Sequence, residues 1–124
     1  MIEIPYAELL GLEVEQGEGA PVLVMPFDDG KIGRPGFIHG GAIGGLLEMA
    51  AVAALMAALD DESARWKPIN VTVDYMRGGR DQVTRAQGAV TRLGTRIANV
   101  ESRAWQESPD KPIAAARMNF LIRR

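Results

Sequence analysis

Four residues have the types and the spacing to do chemistry: His39, Gly40, Gly41 and Glu48, all within the run His39 to Leu59. Glu48 is the single ionisable group between His39 and Asp60. The residues around it are Ala, Leu, Met, Val and Gly, so a helix through them places a carboxylate in apolar surroundings. That is costly without a partner, and burial there is expected to raise its pKa. Ahead of it stand the pairs Gly40-Gly41 and Gly44-Gly45, where a ligand or a second chain can approach the backbone closely. A helix opening at Gly40 or Gly41 aims free N–H groups, and the positive end of its dipole, at an anion or a polarised carbonyl. A carbonyl-polarising helix start combined with one carboxylate suits acyl chemistry.

Two blander readings cover the same stretch. The run is long and apolar enough for a membrane span, and Gly40-x-x-x-Gly44 and Gly41-x-x-x-Gly45 have the spacing of a membrane dimerisation motif. A central Glu48, the Ala/Gly bias and a strand-like remainder argue against it. The other reading is a plain core helix with Glu48 reaching out to solvent.

Those residues need a frame, and the totals bound it. The chain has 124 residues, expected to form one domain over 1–124, with 47% hydrophobic and 24% charged residues, ordinary for a globular protein. A net charge of −2 and a pI near 5.4 give no basic excess for nucleic acid. Without cysteine there is no disulfide, thiolate nucleophile or thiolate metal site, and the lone His39 makes no zinc cluster, so no metal is expected. The opening Met1-Ile2-Glu3-Ile4-Pro5-Tyr6 lacks the basic and apolar regions of a secretion signal, and a cytoplasmic protein is expected.

The pattern along the chain places one helix among strands. Ala7 to Leu12 suggests a short helical turn, and Ala20 to Phe27 a strand with prolines near its ends. Lys31 to Ile38, with two glycines and Pro35, reads as a loop leading into the central helix. Beyond the helix, Ile69 to Met76 alternates with Ile69, Val71, Val73 and Tyr75 on one face. Val83 to Leu93 and Thr95 to Glu107 form a pair of strands joined at Gly94, with Ala98, Val100, Ser102 and Ala104 on a face small enough for a helix to lie close. In the last strand Ala114, Ala116, Met118, Phe120 and Ile122 point inward. Consecutive strands with short turns imply an antiparallel sheet, and the helix must lie on its apolar face. A sheet covers one side of a helix that is apolar on all sides. A second copy of the chain is the simplest cover for the rest.

Together these blocks resemble the hotdog fold, and within it the PaaI-type and 4-hydroxybenzoyl-CoA-type acyl-CoA thioesterases. The similarity runs from about Gly11 to Ile122. It is carried by His39-Gly40-Gly41 with Glu48 nine positions after the histidine, by Val71-x-Val73-x-Tyr75-Met76-Arg77, by Arg92-Leu93-Gly94-Thr95-Arg96, and by Ala114-Ala115-Ala116 with Met118-x-Phe120. The resemblance implies an α+β fold in which an antiparallel sheet wraps around one long buried central helix. It implies an acyl-CoA substrate, no cofactor, and a homodimer, paired again into a homotetramer, with the site at the dimer interface. Gly40 matches the glycine whose amide polarises the thioester carbonyl, Glu48 the nucleophile or general base, and His39 a residue that structures the loop alongside Gly41. Two positions depart from the pattern. The asparagine many members carry six residues before the histidine is Gly33 here. The positions where some members place Ser or Thr are Val52 and Arg77.

Geometry adds a constraint of its own. Gly40 and Glu48 are eight residues apart, roughly 12 Å along a helix, and a carbonyl spans only about 1.2 Å. One helix supplies both groups with difficulty, whereas Gly40 of one subunit with Glu48 of its partner removes the strain. Whether Glu48 attacks directly or activates water stays open, as does a contribution from the Gly41 amide. Arg34, Arg77, Arg80, Arg92 and Arg96 are candidates for the phosphates of coenzyme A. The departures at Gly33 and Val52 keep a second function in view, an acyl-CoA-binding module without catalysis. A dehydratase or hydratase, pairing a catalytic His with an acid, is the third.

Overall fold

A computed structural model describes residues 4–124; the first three positions of the stretch read for a secretion signal lie outside the described residues. The elements run α1 (Pro5–Leu9), β1 (Glu13–Glu15), β2 (Val22–Met25), a 3₁₀ turn (Asp29–Lys31), β3 (Ile32–Arg34), β4 (Phe37–Ile38), α2 (Gly40–Ala58), β5 (Arg65–Tyr75), β6 (Thr84–Leu93), β7 (Ile97–Trp105) and β8 (Pro112–Arg123). Six strands form one sheet in the order β1-β2-β6-β7-β8-β5, and every pairing is antiparallel. The α+β arrangement expected from the residue pattern is therefore present, with α2 laid across the concave face.

Small residues let α2 lie close to the sheet. Ala98, Val100, Ser102 and Ala104 of β7 are buried, as are Ala114, Ala116, Met118, Phe120 and Ile122 of β8. On β6, a Cβ at Gly88 would stand 2.6 Å from the Ala50 carbonyl oxygen, so only glycine permits this approach. The buried Ser102 hydroxyl donates to the Leu47 carbonyl at 3.0 Å, fixing the level of the helix against β7. The membrane-span reading falls away because α2 packs into this core: Leu46, Leu47, Ala50, Ala51 and Leu55 are fully covered.

Three expectations need correction. The segment Lys31 to Ile38 is not a plain loop: β3 and β4 pair as a small hairpin. Pro35-Gly36 turns it, with Gly36 at φ +84°, the left-handed position a type II turn demands. Strands this short, with no buried alternation, leave no period to read. The strand begins at Arg65 rather than Ile69, with a register shift between Pro68 and Asn70 where proline cannot donate to the ladder. And the face Ile69, Val71, Val73, Tyr75 is not covered in one protomer: Val73 is partly buried while the other three are exposed. The sheet pairs β5 with β8 alone, so β5 is an edge strand overhanging the helix, which sits mainly over β6 and β7.

Candidate active site

The entrance to α2 is held from below by Lys31. Its side chain is buried, and its ammonium donates to the Pro26 carbonyl at 2.9 Å and to the Asp28 carboxylate. Asp28 also accepts from the Gly30 amide at 2.9 Å, capping the 3₁₀ turn. The hydrogen bond from Lys31 holds the Asp28 carboxyl below its ordinary value. The Lys31 carbonyl in turn accepts the His39 N–H at 2.7 Å, while Ile38 donates to the Gly79 carbonyl at 2.9 Å. His39 is thus placed by backbone bonds from two directions.

His39 then caps the helix. Its Nδ1 accepts the Gly41 N–H at 2.8 Å, which requires that Nδ1 carry no proton in this arrangement. Its carbonyl accepts from Ala42 at 3.0 Å and from Ile43 at 3.3 Å. Of the four amides that open α2, three are therefore bonded within the chain, and the N–H of Gly40 alone has no partner among the described residues. This corrects the reading in which Gly41 assists as a second amide donor: its N–H already belongs to His39. From the far side, the Tyr75 hydroxyl donates to the Gly40 carbonyl at 2.8 Å. The Gly40–Gly41 peptide is pinned at both ends, so the plane of the turn is fixed before any ligand arrives. Nothing in the alternation of β5 pointed to that role for Tyr75, because the contact joins residues 35 positions apart.

This turn forms the wall of a cleft of about 570 Å³ lined by Gly33, Arg34, Phe37, Gly40, Tyr75 and Arg77, among others. The guanidiniums of Arg34 and Arg80 stand 4.3 and 4.6 Å from the centroid of the Phe37 ring. Among the described residues none of Arg34, Arg77 and Arg80 has a carboxylate partner, so their charge is free for an anion. The five arginines grouped from the sequence do not gather in one protomer. Arg92 and Arg96 line a separate cleft at the β6–β7 turn, at the other end of the sheet. Proximity in sequence to a strand turn said nothing about which end of the sheet the turn occupies.

Glu48 lies outside the Gly40 cleft of its own protomer. The carboxylate is partly exposed rather than enclosed, because α2 is uncovered on the side carrying Gly41, Glu48, Met49 and Met56. No ion pair reaches it among the described residues. The departure at Gly33 has a steric cause: a Cβ there would stand 2.9 Å from the His39 Cα. An asparagine at this position would have to push the capping histidine aside. Val52 is buried and offers no hydroxyl.

The sequence profile of the thioesterase superfamily matches residues 35–113, which span the β3–β4 turn, α2 and the strands through the start of β8. The chain belongs to the thioesterase superfamily. Its fold is the hotdog of that family, as solved relatives show. A protein of Chromobacterium violaceum is 36% identical, covering 96% of this chain and 83% of its own, with a TM-score of 0.78. A phenylacetic acid degradation-related protein of Ralstonia eutropha shares the fold at 20% identity, over 97% of this chain and 92% of its own, with a TM-score of 0.85. A Bacillus halodurans protein solved with CoA does so at 18% identity, over 95% and 78%, with a TM-score of 0.82. Among curated proteins no sequence matches. Within this thioesterase superfamily member, the residues that carried the resemblance, His39-Gly40-Gly41 and Glu48, form the start and the open side of the central helix.

Proposed function

We propose that the protein hydrolyses an acyl-CoA thioester in sites shared between two protomers. The observation that carries this reading is the Gly40 N–H, without a partner among the described residues, in a peptide whose His39 carbonyl accepts from Ala42 and Ile43 and whose neighbouring peptide is held by His39 Nδ1 and Tyr75, at the wall of an arginine-lined cleft. In the reaction that amide donates to the thioester oxygen as it becomes an oxyanion. Glu48 acts either as nucleophile or as the base that deprotonates water. Since α2 holds the two groups roughly 12 Å apart, the partner's helix brings the carboxylate to the cleft. The uncovered side of α2 and the open edge of β5, with exposed Ile69, Val71 and Tyr75, supply apolar surface for that second copy. Arg34, Arg77 and Arg80 receive the phosphates of coenzyme A. Among the described residues the one helix long and apolar enough to cross a membrane is consumed in the core, and a cytoplasmic setting goes with this reading.

The test is thiol release from a panel of acyl-CoAs by wild type and by Glu48→Gln, which keeps volume and hydrogen bonding but loses the charge. Turnover is expected to fall by at least about a hundredfold, the low end of what a general base contributes. Activity retained in a folded Glu48→Gln protein overturns the assignment. A second reading, an acyl-CoA-binding module, draws on Gly33 and Val52, which leave two positions without the side chains some relatives use to hold water. Binding across the panel with no turnover in wild type selects it. A hydratase is less well supported, since the one histidine already spends Nδ1 on the helix cap.

A further inference from the structure

Gly45 is where α2 passes beneath α1. A Cβ at Gly45 would stand 2.5 Å from the Tyr6 hydroxyl oxygen and 2.7 and 2.9 Å from two ring carbons, so Tyr6 lies directly on the helix backbone. Gly45 and Glu48 are three residues apart and neighbours on the helix surface. Helical side chains lean toward the N-terminus, so the Glu48 carboxylate leans back over the turn holding Gly44 and Gly45. That turn has no side chains of its own to fill the space. Its occupants are two hydroxyls, that of Tyr6 over Gly45 and that of Tyr75, 3.3 Å from a Cβ built at Gly44. The Tyr75 hydroxyl is already spent on the Gly40 carbonyl. The Tyr6 hydroxyl has no partner among the described residues, although it lies one turn ahead of Glu48 on the same side of the helix. Val52, one turn beyond Glu48, is buried and offers no hydroxyl to such a water.

We propose that Tyr6 is a further catalytic residue, one that aims the water Glu48 activates; the assignment rests on the thioesterase reading and takes its water route. One O–H of the water donates to Glu48 and the other to the Tyr6 oxygen, leaving a lone pair directed at the thioester carbon. As the water oxygen bonds to that carbon, its proton passes to Glu48. The C–S bond then breaks, and the thiolate takes the proton back from Glu48 to leave as the thiol. Water is divided between the acid and the thiol, no electron is gained or lost, and Tyr6 keeps its own proton throughout. The level of Tyr6 on α2 fits the shared site, because reciprocal pairing of Gly40 with the partner's Glu48 puts the two-fold axis level with Gly44.

Tyr6→Phe removes only the oxygen. Steady-state kinetics on the best acyl-CoA of the panel should show kcat down roughly tenfold with KM within about twofold, melting temperature unchanged, and no further loss when Tyr6→Phe is added to Glu48→Gln. A simple packing role would move melting or KM and add to the Glu48 lesion. Should Tyr6→Phe fail to fold, Gly45→Ala carries the test, because its methyl displaces the tyrosine from the helix. A folded Gly45→Ala protein at wild-type kcat overturns the proposal. Wild-type kcat in Tyr6→Phe beside an inactive Glu48→Gln overturns the role of Tyr6 alone. No turnover in wild type, or full turnover in Glu48→Gln, overturns the thioesterase reading and this one with it.

Discussion

The first turn of α2 and the turn around Glu48 lie on one helix, yet they are finished to different degrees. At the first turn the Gly41 amide has His39, the Gly40 carbonyl has Tyr75, the His39 carbonyl has two amides, and His39 itself is hung from Lys31. Among the described residues one group of this turn is left over, the Gly40 N–H. Around Glu48 the accounting does not close within the chain. Glu48 and Met49 beside it are partly exposed, Met56 two turns on is exposed, and so are Ile69, Val71 and Tyr75 of β5. In the proposed site the turn at Gly40 is preorganised by its own chain, while the side of α2 carrying Glu48 is left partly uncovered by it. That asymmetry follows from fold geometry: the sheet covers the helix on the side of β6 and β7 and leaves the other side to be covered.

The most direct way to break this contrast is to delete the leftover amide. Gly40→Pro removes that N–H, and its Cβ and the backbone before it fit a proline. The added Cβ meets the Tyr75 ring at 3.5 Å, an ordinary contact, and His39 already has φ −60° and ψ 134°, the region favoured before proline. Proline is also at home in the first turn of a helix. Losing one oxyanion donor is expected to cost about 10²–10³ in kcat. Refolding this variant with Glu48→Gln then tests the division between chains. Half of randomly formed dimers are mixed and each holds one intact site, so roughly a quarter of wild-type activity should return. If both groups served one site from one chain, no mixture would recover.

A smaller effect sharpens the donor side. Tyr75→Phe frees the Gly40 carbonyl and removes one of the two bonds that hold the peptide plane. The expected cost is about 0.5–1.5 kcal/mol in stability and a fall of roughly three- to tenfold in kcat, with binding of coenzyme A unchanged. An equal fall in Gly40→Pro/Tyr75→Phe over Gly40→Pro alone would show that Tyr75 acts elsewhere than through the Gly40 turn.

How much of this was legible follows the range of each interaction. The buried faces of β7 and β8 were readable because alternation is local, and so was α2, because its composition is. His39-Gly40-Gly41 and Glu48 stood out as chemistry for the same reason. What escaped were contacts between residues far apart in sequence: Tyr75 on Gly40, Tyr6 on Gly45, and the steric exclusion at Gly33 by His39. Short strands escaped too, since β3 is exposed throughout and β4, though it buries Ile38, has only two residues and so no period to reveal. The placement of the arginines was not readable because charge in a sequence carries no address in space; within one protomer the sheet register sends Arg92 and Arg96 to the end opposite Arg34 and Arg77.

The smallest expected effect concerns the anchor beneath the first turn. Asp28 titrates below its ordinary value of 3.8 because it accepts a hydrogen bond from Lys31. A carboxyl with a depressed folded-state pKa adds stability that is complete above the unfolded-state value and disappears as pH falls through the lower folded-state value. The contribution should therefore hold through neutral pH and vanish only in acid, below about pH 4. Asp28 is exposed, so the loss in overall stability will be slight. Its local consequence is larger than its energy, since the Lys31 ammonium is buried and would keep only the Pro26 carbonyl. Asp28→Asn should flatten the acid limb of a melting-temperature profile while lowering its neutral plateau a little. Amide exchange at His39, whose N–H reports on the Lys31 carbonyl, should quicken in the same variant. Unchanged exchange there would mean that the β3–β4 hairpin and the Gly79 contact hold the first turn without the Lys31 ammonium.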